Sequence, residues 1–383
     1  MKSSAVSWVE VVRLRTLPAA IAPVLLGTGI AFALGAASWA RALLAAGVAL
    51  ALQIGCNIAN DYFDGLRGVD DVRCGPPRLT ASGAVAPAAV MALALASFAV
   101  AVALGLALLA LCGQWWMLGL GAAAIAAAWF YTGGPRPYGY RGLGEVFVFL
   151  FFGLMATCGT TYVQAGRVPL WGWVAGAGVG LIACALLMVN NLRDIHTDPV
   201  HGKITLAVRL GERRARQAFM ILLIAPCLLG LLALAGAGAE VAPFFPRPGM
   251  ALLMAALLAL WGLMVRRAGR PVLRLAIGRD LAPSLRDAGL YELLYSLSLT
   301  GALVALVAGR LERRKLPCGS DGCACRAVLS SRGAVRIGQG LRAAPACWCA
   351  SEWFVKKGAD SGGSKTRFAL VSLGRIAMNR VAK

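Results

Sequence analysis

The sequence predicts an all-α membrane protein, a multi-span transmembrane bundle of nine helices. Three features carry that expectation: an apolar, charge-poor composition, nine apolar runs of spanning length, and a basic charge that alternates between the loops joining them. Of 383 residues, 59% are hydrophobic and 14% charged, and the mean hydropathy is +0.72. Such a chain is too apolar for an ordinary water-soluble domain of its length.

A helix needs about 20 mostly apolar residues to cross a bilayer. Candidate runs lie at 19–37, 42–59, 84–111, 115–131, 146–163, 170–188, 218–238, 249–265 and 290–309. Several are rich in Ala and Gly, which lets helices approach closely in lipid. The N-terminal segment and every second loop after it hold 20 Lys/Arg, whereas the opposite loops hold only Arg41, Arg167 and Arg247. The positive-inside rule therefore predicts a cytoplasmic N-terminus. No cleavable leader is expected, because no small-residue cleavage site follows the first run.

Residues 1–310 read as one membrane-embedded domain. The tail, 311–383, is different in kind, with 14 Lys/Arg against 4 Asp/Glu. Nine spans from an inside N-terminus would place it outside, against the usual bias. Cys318, Cys323, Cys325, Cys347 and Cys349 do not follow common zinc spacing, so the tail is expected to be a disordered or aberrant extension. The body cysteines, Cys56, Cys74, Cys112, Cys158, Cys184 and Cys227, read as small packing residues. No nucleic-acid partner is expected.

Chemistry concentrates where the second and sixth runs reach the basic side. Asn57, Asn60, Asp61 and Asp64 stand at i, i+3, i+4 and i+7, so they share one face if the helix continues that far. The sixth run closes on Asn191, Asp194 and Asp198, again at helical spacing, with Arg193 among them as a substrate-binding candidate. A single D-x-x-D is as easily a solvated helix end as a site. Two copies, each with Asn and each closing an apolar run, point to function, because ionisable groups at membrane helices are costly. Carboxylates and amide oxygens are the ligands of Mg²⁺, which commonly joins a few of them to substrate phosphates.

Cations follow both faces: Arg73 and Arg78 after the first, Lys203 and Arg209 after the second. Lys203 and Arg78 read as phosphate binders, Arg209 as a further substrate contact, and Arg213, Arg214 and Arg216 as topology residues. The Gly- and Pro-rich segment from Tyr131 through Tyr138 and Tyr140 to Glu145 turns sharply. Its aromatic faces either meet a cationic intermediate or belong to an interfacial belt.

At these residues the chain resembles the UbiA superfamily of intramembrane prenyltransferases, and within it the branch that serves menaquinone biosynthesis. The likeness runs from about Arg13 to Gly309. It rests on Arg13-Leu-Arg-Thr-Leu-Pro18, Asn57-Ile-Ala-Asn-Asp-Tyr-Phe-Asp64 with Gly68 and Asp70, Gly75-Pro-Pro-Arg78-Leu-Thr-Ala-Ser82-Gly83, Tyr131-Thr-Gly-Gly-Pro, Tyr140-Arg-Gly-Leu-Gly-Glu145, Asn190-Asn-Leu-Arg-Asp194 and Gly202-Lys-Ile-Thr-Leu-Ala-Val-Arg209. The resemblance implies nine helices around a central cavity in the cytoplasmic membrane of a bacterium. It implies Asn57, Asp61 and Asp64 as ligands of one Mg²⁺, Asp194 and Asp198 as ligands of another, and Lys203 and Arg78 as diphosphate binders. The implied substrates are a polyprenyl diphosphate and an aromatic acceptor, 1,4-dihydroxy-2-naphthoate. Ionisation of the diphosphate would leave an allylic cation in a dry cavity, and attack by the ring with loss of CO₂ would follow.

Rival expectations are a superfamily member with another acceptor, such as 4-hydroxybenzoate, and, outside the enzyme class, a transporter, whose intramembrane polar groups would lie near the midplane. The CDP-alcohol phosphotransferases share an opening Asp64-Gly65 but not the rest of their motif.

Overall fold

The computed structural model describes residues 17–69, 78–83, 85–243 and 245–315. The motif residues 13–16, Asp70, Arg73, Cys74, Gly75 to Pro77 and the tail cysteines lie outside them. Among the described residues every regular element is a helix. We number them α1 (Leu17–Ala33), α2 (Trp39–Leu66), α3 (Pro87–Cys112), α4 (Leu118–Phe130), α5 (Gly144–Ala165), α6 (Leu170–Arg193), α7 (Leu206–Leu210), α8 (Glu212–Val241), α9 (Arg247–Leu273) and α10 (Ala282–Lys315).

All nine apolar runs are helical, but only seven of these helices are long and apolar enough to cross a membrane; α1 and α4 are shorter apolar helices. α4 has 13 residues, about 20 Å of helix, because the turn Thr132-Gly133-Gly134-Pro135 stops it early. Helix starts and stops follow local chemistry. Pro87 opens α3 at its first turn and Gly113, at φ 72°, closes it, the asymmetry expected of Pro and Gly at helix ends. The acidic end of α2 stays helical through Asp64, and Gly68 (φ 70°) turns the chain just beyond.

Burial separates central from lipid-facing helices. Two thirds of the most apolar stretch of α6 is buried, 67%, against 22% for α3 and 17% for α9. α6 therefore forms the middle of the bundle, packed against α5, α8 and α10. Close approach of α5 and α6 depends on two glycines: a Cβ on Gly153 would lie 2.4 Å from Gly180 Cα. The same stretch of α5, Phe149–Met155, is wound as a π-helix. We expect Gly153→Ala to destabilise the bundle by about 1–3 kcal/mol, the usual cost of overpacking, because the obstructing atoms are backbone. Thermal unfolding in detergent checks this, and an unchanged Tm would refute it.

On the end of the bundle opposite the acidic motifs, Arg41 donates to the carbonyls of Val163 (3.0 Å) and Leu111 (2.9 Å). It thereby satisfies C-terminal carbonyls of α5 and α3, as a cation at helix C-termini does.

Candidate active site

Helices α1 to α6 enclose a cavity of about 560 Å³. Its depth is apolar, with Val24, Leu52, Leu108, Ile125, Phe151 and Leu187 among the lining residues. Its mouth is polar and comes from four separate stretches of chain: Asn57, Asn60 and Asp64 from α2, Arg78 from the loop after it, Asn191 from α6, and Lys203 from the turn before α7. Tyr131 and Tyr138 line the wall beside them.

The two acidic motifs are built differently. The first is one helical face, as its spacing predicts. The second is not: α6 ends at Arg193, Asp194 is its C-cap, and Asp198 opens a 3₁₀ turn (Asp198–His201). Pro199 disfavours helix at the residue before it. An N–H bond from Asp198 to the Asp194 carbonyl, 2.9 Å, nevertheless keeps the two residues one turn apart.

Each carboxylate has its own neighbour. Asp64 Oδ1 accepts from the Tyr140 hydroxyl at 2.6 Å. Asp61 turns away from the cavity and accepts the backbone N–H groups of Leu79 (3.2 Å) and Thr80 (3.1 Å). Arg193 forks onto Asp194 at 2.8 and 2.5 Å, and Lys203 Nζ stands 3.7 Å from Asp198 Oδ1 and 5.7 Å above the Tyr140 ring. Asn60 Oδ1 accepts from Thr132 Oγ1 at 2.7 Å. Burial, and secondarily the Asp64 charge, pushes the Tyr140 phenol well above its ordinary pKa, so it remains a donor. Burial raises Tyr138 likewise; its hydroxyl donates to the Ala127 carbonyl at 2.7 Å while its ring stacks on Phe147.

Asn57, Asn60, Asp64, Arg78, Tyr131, Tyr138, Asn191 and Lys203 thus share one cavity. Asp61, Asp194 and Asp198 are buried but are not among its lining residues. Two of the expected substrate contacts are not among the cavity-lining residues. Arg193 is engaged by its neighbour Asp194 and does not line the cavity, and Arg209 is exposed, packed across Gly142. Arg216 is more than a topology residue: buried, it binds Glu212 and the Val272 and Ala276 carbonyls at 3.0 and 2.8 Å, tying α8 to the end of α9.

Sequence reasoning missed two residues. Arg67 donates to the carbonyls of Thr132 and Gly134 and lies over the rings of Phe63 and Tyr140, fixing the turn that delivers Tyr140 to Asp64. Its place at the end of the acidic helix, three residues after Asp64, was the available signal. Glu145, buried at the start of α5, accepts from Asn191 Nδ2 at 3.1 Å, which leaves the Asn191 carbonyl oxygen for other partners. Its sequence signal was its place at the end of the Tyr140-Arg-Gly-Leu-Gly-Glu145 stretch, which stands out for its turns and aromatic rings and not for the acid.

The donor set at the mouth is all oxygen, carboxylate and amide. Among the described residues no three His, Cys, Asp or Glu side chains are gathered as a ready-made metal cage. That suits Mg²⁺, which takes one or two carboxylates and completes its shell with substrate phosphates and water, and not zinc, which wants His and Cys.

An apolar chamber inside a bundle of membrane-spanning helices, with a carboxylate, amides and two cations at its mouth, defines an intramembrane enzyme for an amphiphile with an anionic head. The chain belongs to the UbiA prenyltransferase family, whose sequence model matches residues 20–279. It is 48% identical over 301 residues to the 1,4-dihydroxy-2-naphthoate octaprenyltransferase of Mycobacterium tuberculosis, covering 79% of this chain and 98% of that protein. The Escherichia coli protein of the same name is 38% identical over 224 residues, 57% of this chain and 73% of that one. Among solved structures, a UbiA homolog from Archaeoglobus fulgidus bound to GPP and Mg²⁺ superposes with a TM-score of 0.56 at 16% identity, over 78% of this chain and 99% of that one; at that identity the likeness is one of fold.

Proposed function

We infer that this chain transfers a polyprenyl group from its diphosphate to 1,4-dihydroxy-2-naphthoate with loss of CO₂, a step of menaquinone biosynthesis. The observation that carries the reading is the cavity, whose apolar depth suits a prenyl chain and whose lining brings Arg78, Lys203 and Asp64 into one chamber. The name shared by the mycobacterial and E. coli relatives supports the acceptor.

Within that reading, Asp64, Asp194 and Asp198, with Asn57, would hold Mg²⁺; when bound, the metal supplies Lewis-acid withdrawal of charge from the departing diphosphate. Arg78 and Lys203 bind phosphate oxygens, Arg through a planar fork and Lys as a point charge. The 3.7 Å separation of Lys203 from Asp198 leaves the ammonium able to turn to a phosphate. Tyr140 holds Asp64 in one orientation. The Tyr131 and Tyr138 faces line the path of an allylic cation, where their π electrons are favourable to positive charge. The apolar walls exclude the water that would otherwise capture it. The basic charge of the loops beside the mouth supports a reading in which that end, and the N-terminus, face the cytoplasm of a bacterial inner membrane.

Membranes carrying the protein, given a polyprenyl diphosphate and Mg²⁺, are expected to prenylate the naphthoate with release of its carboxyl carbon. A bicyclic acceptor offers more apolar area than 4-hydroxybenzoate, worth about 1–3 kcal/mol in a fitted pocket, or roughly ten- to two-hundredfold in specificity. Preference for the benzoate, or retention of labelled carboxylate in the product, would overturn the acceptor assignment. A chain ending at Arg310 is expected to give the same ratio, since the family match, residues 20–279, ends short of the tail.

A further inference from the structure

We propose that Asp61 is a positioning residue that clamps the 78–83 turn onto α2 and so sets Arg78 at the cavity mouth, rather than a metal ligand. Both Asp61 carboxylate oxygens are engaged by the turn, through the amides of Leu79 and Thr80. One helical turn along the same face, Gly65 makes room for it: a Cβ there would lie 2.6 Å from Thr80 Cβ and 3.3 Å from the Ala81 nitrogen. Leu79, buried, anchors the turn in a small cluster with Ile58, Val90 and Phe98. The turn carries its own hydrogen bonds, Ser82 N–H on the Arg78 carbonyl at 2.9 Å and Gly83 N–H on the Thr80 carbonyl at 3.1 Å, with Gly83 at φ 67°. Asp61 and Gly65 therefore form a cradle, i and i+4, for a hydrogen-bonded turn whose first residue is Arg78. Arg78 lines the cavity and Asp61 does not, so Asp61 acts on substrate only through the turn.

The inference rests on the reading that Arg78 meets the diphosphate, and the test separates the two. Hydrogen exchange of the full chain in detergent reads the clamp directly: the Leu79 and Thr80 amides should be protected in the wild type and lose protection in both Asp61→Asn and Gly65→Ala. Asp61→Asn turns one acceptor into a donor facing an N–H, and Gly65→Ala wedges the turn away without touching a polar group. Each should lower kcat/KM for the prenyl diphosphate about ten- to hundredfold, the scale of a displaced charged contact. Combined with Arg78→Ala, neither should add further loss, because the lesions act through one residue. The Mg²⁺ concentration for half-maximal activity should stay unchanged in both. Unaltered protection in Asp61→Asn overturns the clamp, and so does a raised Mg²⁺ requirement in Asp61→Asn that Gly65→Ala does not share. If Asp61→Asn does not fold, Gly65→Ala alone decides by the same readouts. Absence of prenyl transfer by the wild type would refute the functional reading and leave the exchange result standing.

Discussion

Asp64→Asn is expected to lower turnover by about 10²–10³-fold, the scale seen when one preorganised electrostatic contact to a charge-developing transition state is removed, while the protein folds normally. Asp64 is the one acidic residue of the two motifs that lines the cavity. The amide is nearly isosteric with the carboxylate, and its oxygen can still accept the Tyr140 hydroxyl that Asp64 Oδ1 accepts at 2.6 Å. Packing and the local hydrogen bond are therefore preserved, and the lost quantity is the negative charge that a divalent cation needs. Single-turnover assays over a wide Mg²⁺ range, beside a thermal unfolding curve, make the check. Wild-type turnover at saturating Mg²⁺ would remove Asp64 from the metal site. The contrast with Asp61, three residues earlier, is the useful part: its variant is expected to leave the Mg²⁺ requirement alone.

Lys203→Met should reduce kcat/KM for the prenyl diphosphate by roughly 30- to 150-fold, equivalent to the about 2–3 kcal/mol of a charge-assisted contact. Methionine keeps most of the apolar stem that packs over Tyr140 and deletes only the ammonium. Lys203→Arg restores charge but not shape, so partial recovery is expected, since the two cations present their donors differently. Steady-state kinetics with the diphosphate varied and the acceptor saturating give the result. If Lys203→Met left KM and kcat unchanged, the cation would belong to Asp198 alone and diphosphate binding would fall to Arg78.

Much of this protein is legible in its sequence, and for a definite reason. The bilayer is a solvent with few solutions: a run of about 20 apolar residues has to be helical there, because no water satisfies its backbone. The nine runs therefore appear as nine helices, and the acidic residues that close the second and sixth are conspicuous because charge at such places is expensive. What the pattern could not convey is the length of α1 and α4, or that α6 stops at Arg193 and carries Asp198 on a separate turn.

The finer assignment belongs to tertiary structure. By itself the sequence determined the membrane class, the helical bundle, the two acid-bearing helix ends and the cations near them, all consequences of local composition and period. Only packing decided that Asp64 lines the cavity while Asp61 turns to the Leu79 and Thr80 amides, that Arg193 is held by Asp194, and that Arg67 and Glu145 brace the mouth from behind. Carboxylates on neighbouring positions of one helix are chemically identical in the sequence. Their surroundings differ because each meets a segment distant along the chain, and which segment arrives is set by the fit of Gly65 against the 78–83 turn and of Arg67 against the Thr132–Gly134 turn, a matter of shape that local pattern does not encode.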